Sequence, residues 1–237
     1  MEELFEKTQQ YVKHVHVAHW QDEQFRACRD TFPIGTILLV VDFVENYTLQ
    51  PQNEIQSQYY HSDQVSIMVH ITYRHGADST EENMVILKEY HFYISDDRCH
   101  DLDFVQHSFQ LFYKHLEDNN IQMEQHWIWF DGCAGQFKNS YVFQWLCILH
   151  KRHKVPHVWN YFEIEHGKVE HDGAGACINN ALHRQEMKFT TISLIRDPNT
   201  IVAWCFSVMG QGARRKEDQS SQKSHVHRYF REVVNVD

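Results

Sequence analysis

The sequence predicts an α/β protein: a mixed five-stranded sheet with helices on both faces, preceded by an N-terminal helix. Three observations carry this. The stretch Thr36–Val44 reads Thr-Ile-Leu-Leu-Val-Val-Asp-Phe-Val, a continuous apolar, β-branched run of the kind found in strands buried on both faces. The segments Gln64–His75 and Met84–Ile94 alternate apolar with polar residues, as half-buried antiparallel strands do. Beyond residue 104, helical and strand patterns take turns, the order of βα units added to a sheet.

Each element follows from its local pattern. Leu4, Phe5, Val12, Val15, Trp20 and Phe25 recur at broadly helical spacing over residues 2–29, and Asp30-Thr31-Phe32-Pro33 ends that helix. Asn46–Ser62 is polar and predicts a loop, and Arg74–Asn83 predicts a hairpin connection. Phe104, Val105, Phe109, Phe112 and Leu116 mark an amphipathic helix stopped by Asp118-Asn119-Asn120. Gln125–Phe130 predicts a short strand, Asn139–His153 a helix, Val158–Ile164 a strand and Gly173–Lys188 a helix with Asp172 at its N-cap. Thr200–Val208 is apolar throughout and fits either a helix or a strand. Val226–Val236 reads as a last strand or edge segment. Residues 1–32 then form a helical extension packed on the core, 33–209 the core itself, and 210–237 a polar C-terminal segment.

Composition narrows the functional classes. A chain of 237 residues with 42% hydrophobic and 14% aromatic residues can bury one sizeable core and is not disordered. No apolar run is long enough to span a bilayer, and Met1-Glu2-Glu3-Leu4 lacks the pattern of a signal peptide, so an intracellular protein is expected. The six cysteines form no Cys-x-x-Cys pair, which reads as reduced thiols. A formal charge of −10 argues against a protein that coats nucleic acid along its whole surface, but leaves room for a local basic groove.

Three acids stand at element ends: Asp42 closes the first strand, Asp131 the fourth, and Asp172 opens the following helix. An aspartate ending a buried strand needs a partner or a cation, so Asp42 is the most informative. Asp131 before Gly132 also reads as a turn residue, and Asp172 also reads as a helix cap. Three carboxylates brought together repel one another unless cations neutralise them. Mg2+ or Mn2+ suits an oxygen donor set, and two such ions about 4 Å apart serve phosphodiester chemistry. Glu170, Glu163 and Glu165 are rivals for the third position, and Glu45 and Asn46 either support such a site or end the strand. Small residues after Asp131 admit a phosphate backbone, with Gln136, Lys138, His166 and Lys168 as candidate nucleic-acid contacts or as ordinary solvated residues.

The blocks Asp42-Phe43-Val44-Glu45-Asn46, Asp131-Gly132-Cys133-Ala134-Gly135-Gln136-Phe137-Lys138 and His166-Gly167-Lys168 followed by Asp172-Gly173 resemble a widespread group of transposase-derived proteins over roughly residues 30–190. The resemblance implies an RNase H-like DDE/D core, with Asp42, Asp131 and Asp172 as catalytic and metal-binding acids. It also implies two Mg2+ or Mn2+ ions, DNA as partner and a place in the nucleus. The chain departs from the group at Val169-Glu170, where Gly-Pro is usual. Two further readings stand beside the nuclease and strand-transfer one: a domesticated core that binds nucleic acid or protein without catalysis, and an RNase H-like exonuclease. The exonuclease reading lacks the adjacent Asp-x-Glu of that class. A homo-oligomer is compatible with either. No separate DNA-reading module is visible, and Arg214-Arg215-Lys216 is only a small basic cluster. The histidine groups 14/16/19 and 150/153/157 lack the spacing of zinc ligands and read as packing or solvated residues. Cys133 reads as a small turn residue.

Overall fold

The apolar run Ile37–Val41 lies at the middle of a mixed sheet. The computed structural model describes residues 1–49, 63–131, 137–163, 170–188, 195, 197–210 and 226–234. Within them the chain runs α1 (Glu2–Thr31), β1 (Thr36–Thr48), β2 (Gln64–His75), β3 (Ile86–Ser95), α2 (Leu102–Asp118), β4 (Gln125–Phe130), α3 (Ser140–His153), β5 (His157–Tyr161), α4 (His171–Glu186), α5 (Pro198–Met209) and β6 (Val226–Glu232). The strand order is β5-β4-β1-β2-β3-β6. β2 is antiparallel to β1 and β3, whereas β4 is parallel to β1, β5 to β4 and β6 to β3.

The sheet therefore has six strands and not the expected five. Val226–Glu232, which read as a last strand or edge segment, pairs in parallel along β3. β1 also runs on to Thr48, into residues that read as loop. A bulge between Val44 and Tyr47 lets Tyr47 and Thr48 keep pairing with Val65 and Gln64. The ambiguous stretch after residue 197 is the helix α5. Asp197 caps it reciprocally with Thr200, and Pro198 occupies its first turn.

The alternation of side chains along β1 feeds two cores. Leu38 and Val40 pack with Phe25 of α1, Ala174, Ile178 and Leu182 of α4, and Ile201 of α5. Ile37, Leu39 and Val41 face Phe104, Phe109 and Phe112 of α2 and Trp145 and Leu149 of α3. Because both faces are covered, β1 carries no polar alternation until Asp42. Burial of these aliphatic side chains stabilises the fold by roughly 2 kcal/mol each.

Helix α4 is set against β1 by close approach and by polar ties. A Cβ on Gly175 would lie 2.6 Å from Val44 Cγ1, so glycine is what lets the helix touch the strand. His171 Nε2 donates to the Val40 carbonyl at 3.2 Å. At the far end Tyr47 donates its hydroxyl to the carboxylate of Glu186. No helix among the described residues is long and apolar enough to cross a membrane.

Candidate acidic site at the ends of β1 and β4

β1 and β4 are parallel, and their paired residues end at Val41 opposite Phe130. Asp42 and Asp131 are the next residues on each strand, one beyond that last pair. Side chains alternate along a strand, so Asp42 shares a face with Val40, and Asp131 with Trp129. Val40 and Trp129 are register partners in the same core. The two carboxylates thus project side by side toward the layer that holds α4. The oxygen Oδ1 of Asp131 is buried with no hydrogen-bond partner among the described residues. A buried carboxylate oxygen in that state is costly, and a cation is the simplest compensation.

Asp172 does not cap α4. The helix starts at His171, the cap position is Glu170, and no side-chain cap bond is made. His171 is 4% exposed and bonded to β1, which draws the helix start back past the expected position. Asp172 falls instead in the first turn, where a carboxylate still meets the positive end of the helix dipole. Its side chain is exposed. Asp42, Asp131 and Asp172 are not among the described groups whose ligand atoms all lie within 4.8 Å of one another. The structure brings Asp42 and Asp131 together through the strand register and leaves Asp172 at the rim.

Two of the rival acids are engaged elsewhere. Glu170 accepts from the Tyr73 hydroxyl at 2.5 Å and pairs with Lys88, on β2 and β3. Tyr73 pairs with Leu38, four residues before Asp42, so Glu170 turns toward the opposite end of β1. Burial pushes the Glu170 carboxyl up, but the Lys88 and Tyr73 donors outweigh it and hold it below the usual range. Glu163 accepts from His14 Nδ1 of α1 at 3.2 Å. Glu45 is exposed. Asn46 is a cross-link: its Oδ1 accepts from Ser66 Oγ at 3.1 Å and from His100 Nε2 at 2.8 Å. His100 in turn stacks on Phe43, with ring centroids 4.1 Å apart.

On the other side of the strand ends, Phe137 is fully buried against Phe130, and the Tyr161 hydroxyl donates to the Phe137 carbonyl at 3.0 Å. This fixes the start of α3, where Asn139 caps the helix by accepting from Val142 N at 3.0 Å. Lys138 stands just before it, with Nζ 4.9 Å from the centroid of the Tyr161 ring. Gln136, His166, Lys168, Glu165, Cys133 and the Arg214–Lys216 cluster lie outside the described residues.

The histidine groups are used for packing. His14 ties α1 to Glu163. The Tyr113 hydroxyl lies 3.1 Å from both His126 Nδ1 and His157 Nε2. His150 and His157 each donate from Nδ1 to the Val155 carbonyl, at 3.0 and 2.7 Å.

Sequence reading missed a second polar cluster, on the opposite face of the sheet. Glu89 and His91 of β3 and His115 of α2 place ligand-type atoms within 4.8 Å of one another, all buried. Arg74 donates from Nε and Nη2 to Glu89 Oε1, at 3.2 and 2.7 Å. Arg231 donates to His91 Nδ1 at 3.0 Å, and Asn119 Nδ2 donates to His115 Nδ1 at 3.1 Å. Burial lowers His91 to about 4 and His115 to about 3, so both rings are neutral near pH 7. With Nδ1 accepting in each, the ring proton sits on Nε2. The cluster therefore offers N–H donors to a carboxylate, and not lone pairs to a cation. Its signal in the sequence was the alternation Glu89, His91, Tyr93 on one face of a buried strand.

The fold and site together define an α/β protein with an acidic pair at the ends of two parallel central strands. The chain belongs to the family described as Domain of unknown function (DUF8701), whose model matches residues 21–237. No curated protein and no solved structure matches it.

Proposed function

We propose that the chain is an RNase H-like, transposase-type core that binds divalent metal and acts on DNA phosphodiesters by hydrolysis and strand transfer. The observation that carries this reading is the pair Asp42 and Asp131, adjacent on parallel central strands, with a buried oxygen on Asp131 that has no hydrogen-bond partner among the described residues. The strand order β5-β4-β1-β2-β3, with β2 antiparallel and β4 and β5 parallel to β1, supports this reading, because it is the order such a core would have.

The donor set fits Mg2+ or Mn2+, hard ions that take carboxylate oxygens and water. When bound, a pair of such ions supplies activation of an attacking hydroxyl and neutralises charge on the leaving oxygen. The residues of the chain do the rest. Asp42 and Asp131 would hold the cations. Asp172 completes the set by turning inward from the first turn of α4, and Lys138 contacts a backbone phosphate as a point charge. A chromosomal DNA substrate would put the protein in the nucleus.

A second reading has one observation in its favour: the exposed position of Asp172, away from the other two acids. In that reading the core binds DNA without cutting it. Titration calorimetry with Mn2+, paired with nicking of supercoiled plasmid by the full chain, separates the two. The catalytic reading expects a metal-binding heat and metal-dependent nicking, both lost in Asp131→Asn. Plasmid binding with no metal heat and no nicking supports the second reading and sinks the first.

A further inference from the structure

The N-terminal half of α1 projects from the core without covering anything. All its described side chains through Lys13 are exposed, and packing begins only at His14, with Ala18 and Phe25 reaching the core. Yet this overhang is not polar all round. Leu4, Phe5, Tyr11 and Val12 are 67%, 63%, 67% and 61% exposed. At 100° per residue, positions 4, 5, 8, 11 and 12 fall on one stripe of the helix, with Thr8 at its centre. A helical segment of this length is marginal on its own in water, so an apolar stripe along it calls for a covering surface.

We infer that this surface is a second copy of the same segment, laid antiparallel with a two-fold axis at Thr8. The stripe is self-complementary about that residue: an apolar pair precedes it by four and three positions, and another follows by three and four. An isologous contact requires such a pattern. Leu4 of one copy then meets Val12 of the other, and Phe5 meets Tyr11. The charges agree. Glu3 and Glu6 occupy the early turns, and Lys13 and His16 the later ones, so antiparallel pairing sets each acidic end beside a basic end. The helix dipoles also oppose. The contact is about 20 Å long, at 1.5 Å per residue, which makes for a weak dimer seen in a micromolar range.

Sedimentation of the full chain across that range tests this. The expected mass rises with concentration from one chain to two, and Phe5→Asp or Tyr11→Asp holds it at one chain with an unchanged circular-dichroism spectrum. Cysteine cross-linking reads the geometry. Thr8→Cys forms an interchain disulfide above the background of the parent chain. Leu4→Cys does not cross-link to itself, but does so in a mixture with Val12→Cys. A monomeric mass at every concentration overturns the inference, as does a dimer that survives both aspartate variants. Efficient self-cross-linking of Leu4→Cys indicates a parallel pair and also overturns it.

Discussion

The two polar clusters of this protein lie on opposite faces of one sheet and differ in how their charges are compensated. On the α2 face, Glu89 is 0% exposed, yet it accepts two bonds from Arg74 and faces the imidazoles of His91 and His115. On the α4 face, Asp42 and Asp131 bring charges of like sign onto neighbouring strands, and one oxygen of Asp131 has no partner among the described residues. In the first cluster opposite charges meet, and its acid and base components tie strands β2, β3 and β6 and helix α2 together, although Glu89 Oε2, His91 Nε2 and His115 Nε2 have no hydrogen-bond partner among the described residues. Burial of an ionisable group alone thus does not mark a functional site, because the deepest carboxylate here is the structural one. The difference lies in sign: Glu89 faces a guanidinium, whereas Asp42 and Asp131 stand beside each other on neighbouring strands.

Breaking each cluster should give opposite results. The largest stability effect belongs to Glu89→Gln, which leaves the Arg74 guanidinium without its anion in a largely buried site. Urea unfolding should show a loss of about 3 kcal/mol, with no change in Mn2+ binding. Next comes acid. Burial pushes His91 and His115 below the ordinary imidazole value, to about 4 and about 3, so the folded state binds fewer protons than the unfolded one. Their neutral forms contribute stability that is fully present above about pH 6.5 and is lost as pH falls toward 4. For Glu89, burial raises the carboxyl, but the His91 and Arg74 donors hold it at about 2, which removes further stability below the ordinary carboxylate range. Thermal melts from pH 7 to pH 4 should fall steadily, and a flat profile would count against a buried neutral histidine pair.

A smaller effect sharpens the other side of the contrast. Gly175→Ala puts a methyl 2.6 Å from Val44 and should cost about 1–3 kcal/mol, with partial recovery in Gly175→Ala/Val44→Ala. If α4 supplies the third acid, that double variant should regain fold but not full metal affinity. The smallest stability change is expected for Asp131→Asn, under about 1 kcal/mol, although it should remove Mn2+ binding entirely. A large destabilisation there would place Asp131 with Glu89, among the structural acids.

Much of this arrangement was readable from residues. The uninterrupted run Ile37–Val41 announced a strand covered on both sides, and the alternation in Gln64–His75 announced its antiparallel neighbour. The bulge after Val44 was not readable, because it exists only in relation to the pairing of Tyr47 with Val65. Nor was the parallel pairing of β6 with β3, a tertiary choice that no local pattern encodes. The apolar stretch 200–208 carried no period, and its helix is declared by the Asp197–Thr200 cap in front of it. At the site, the types of acid were legible, but their placement was not. Asp42 beside Asp131 follows from a register, and the shift of the α4 cap from Asp172 to Glu170 follows from His171 seeking the Val40 carbonyl.

That last bond spans 131 positions, and the bond from Tyr47 to Glu186 spans 139. Contacts of such sequence separation form late, after the hairpins β1–β2 and β2–β3 have already closed. A chain still emerging from the ribosome would possess Asp42 and most of its sheet well before α4 can dock. The acidic pair therefore stays without helix α4 through most of synthesis, and its final surroundings arrive as one of the last events of folding.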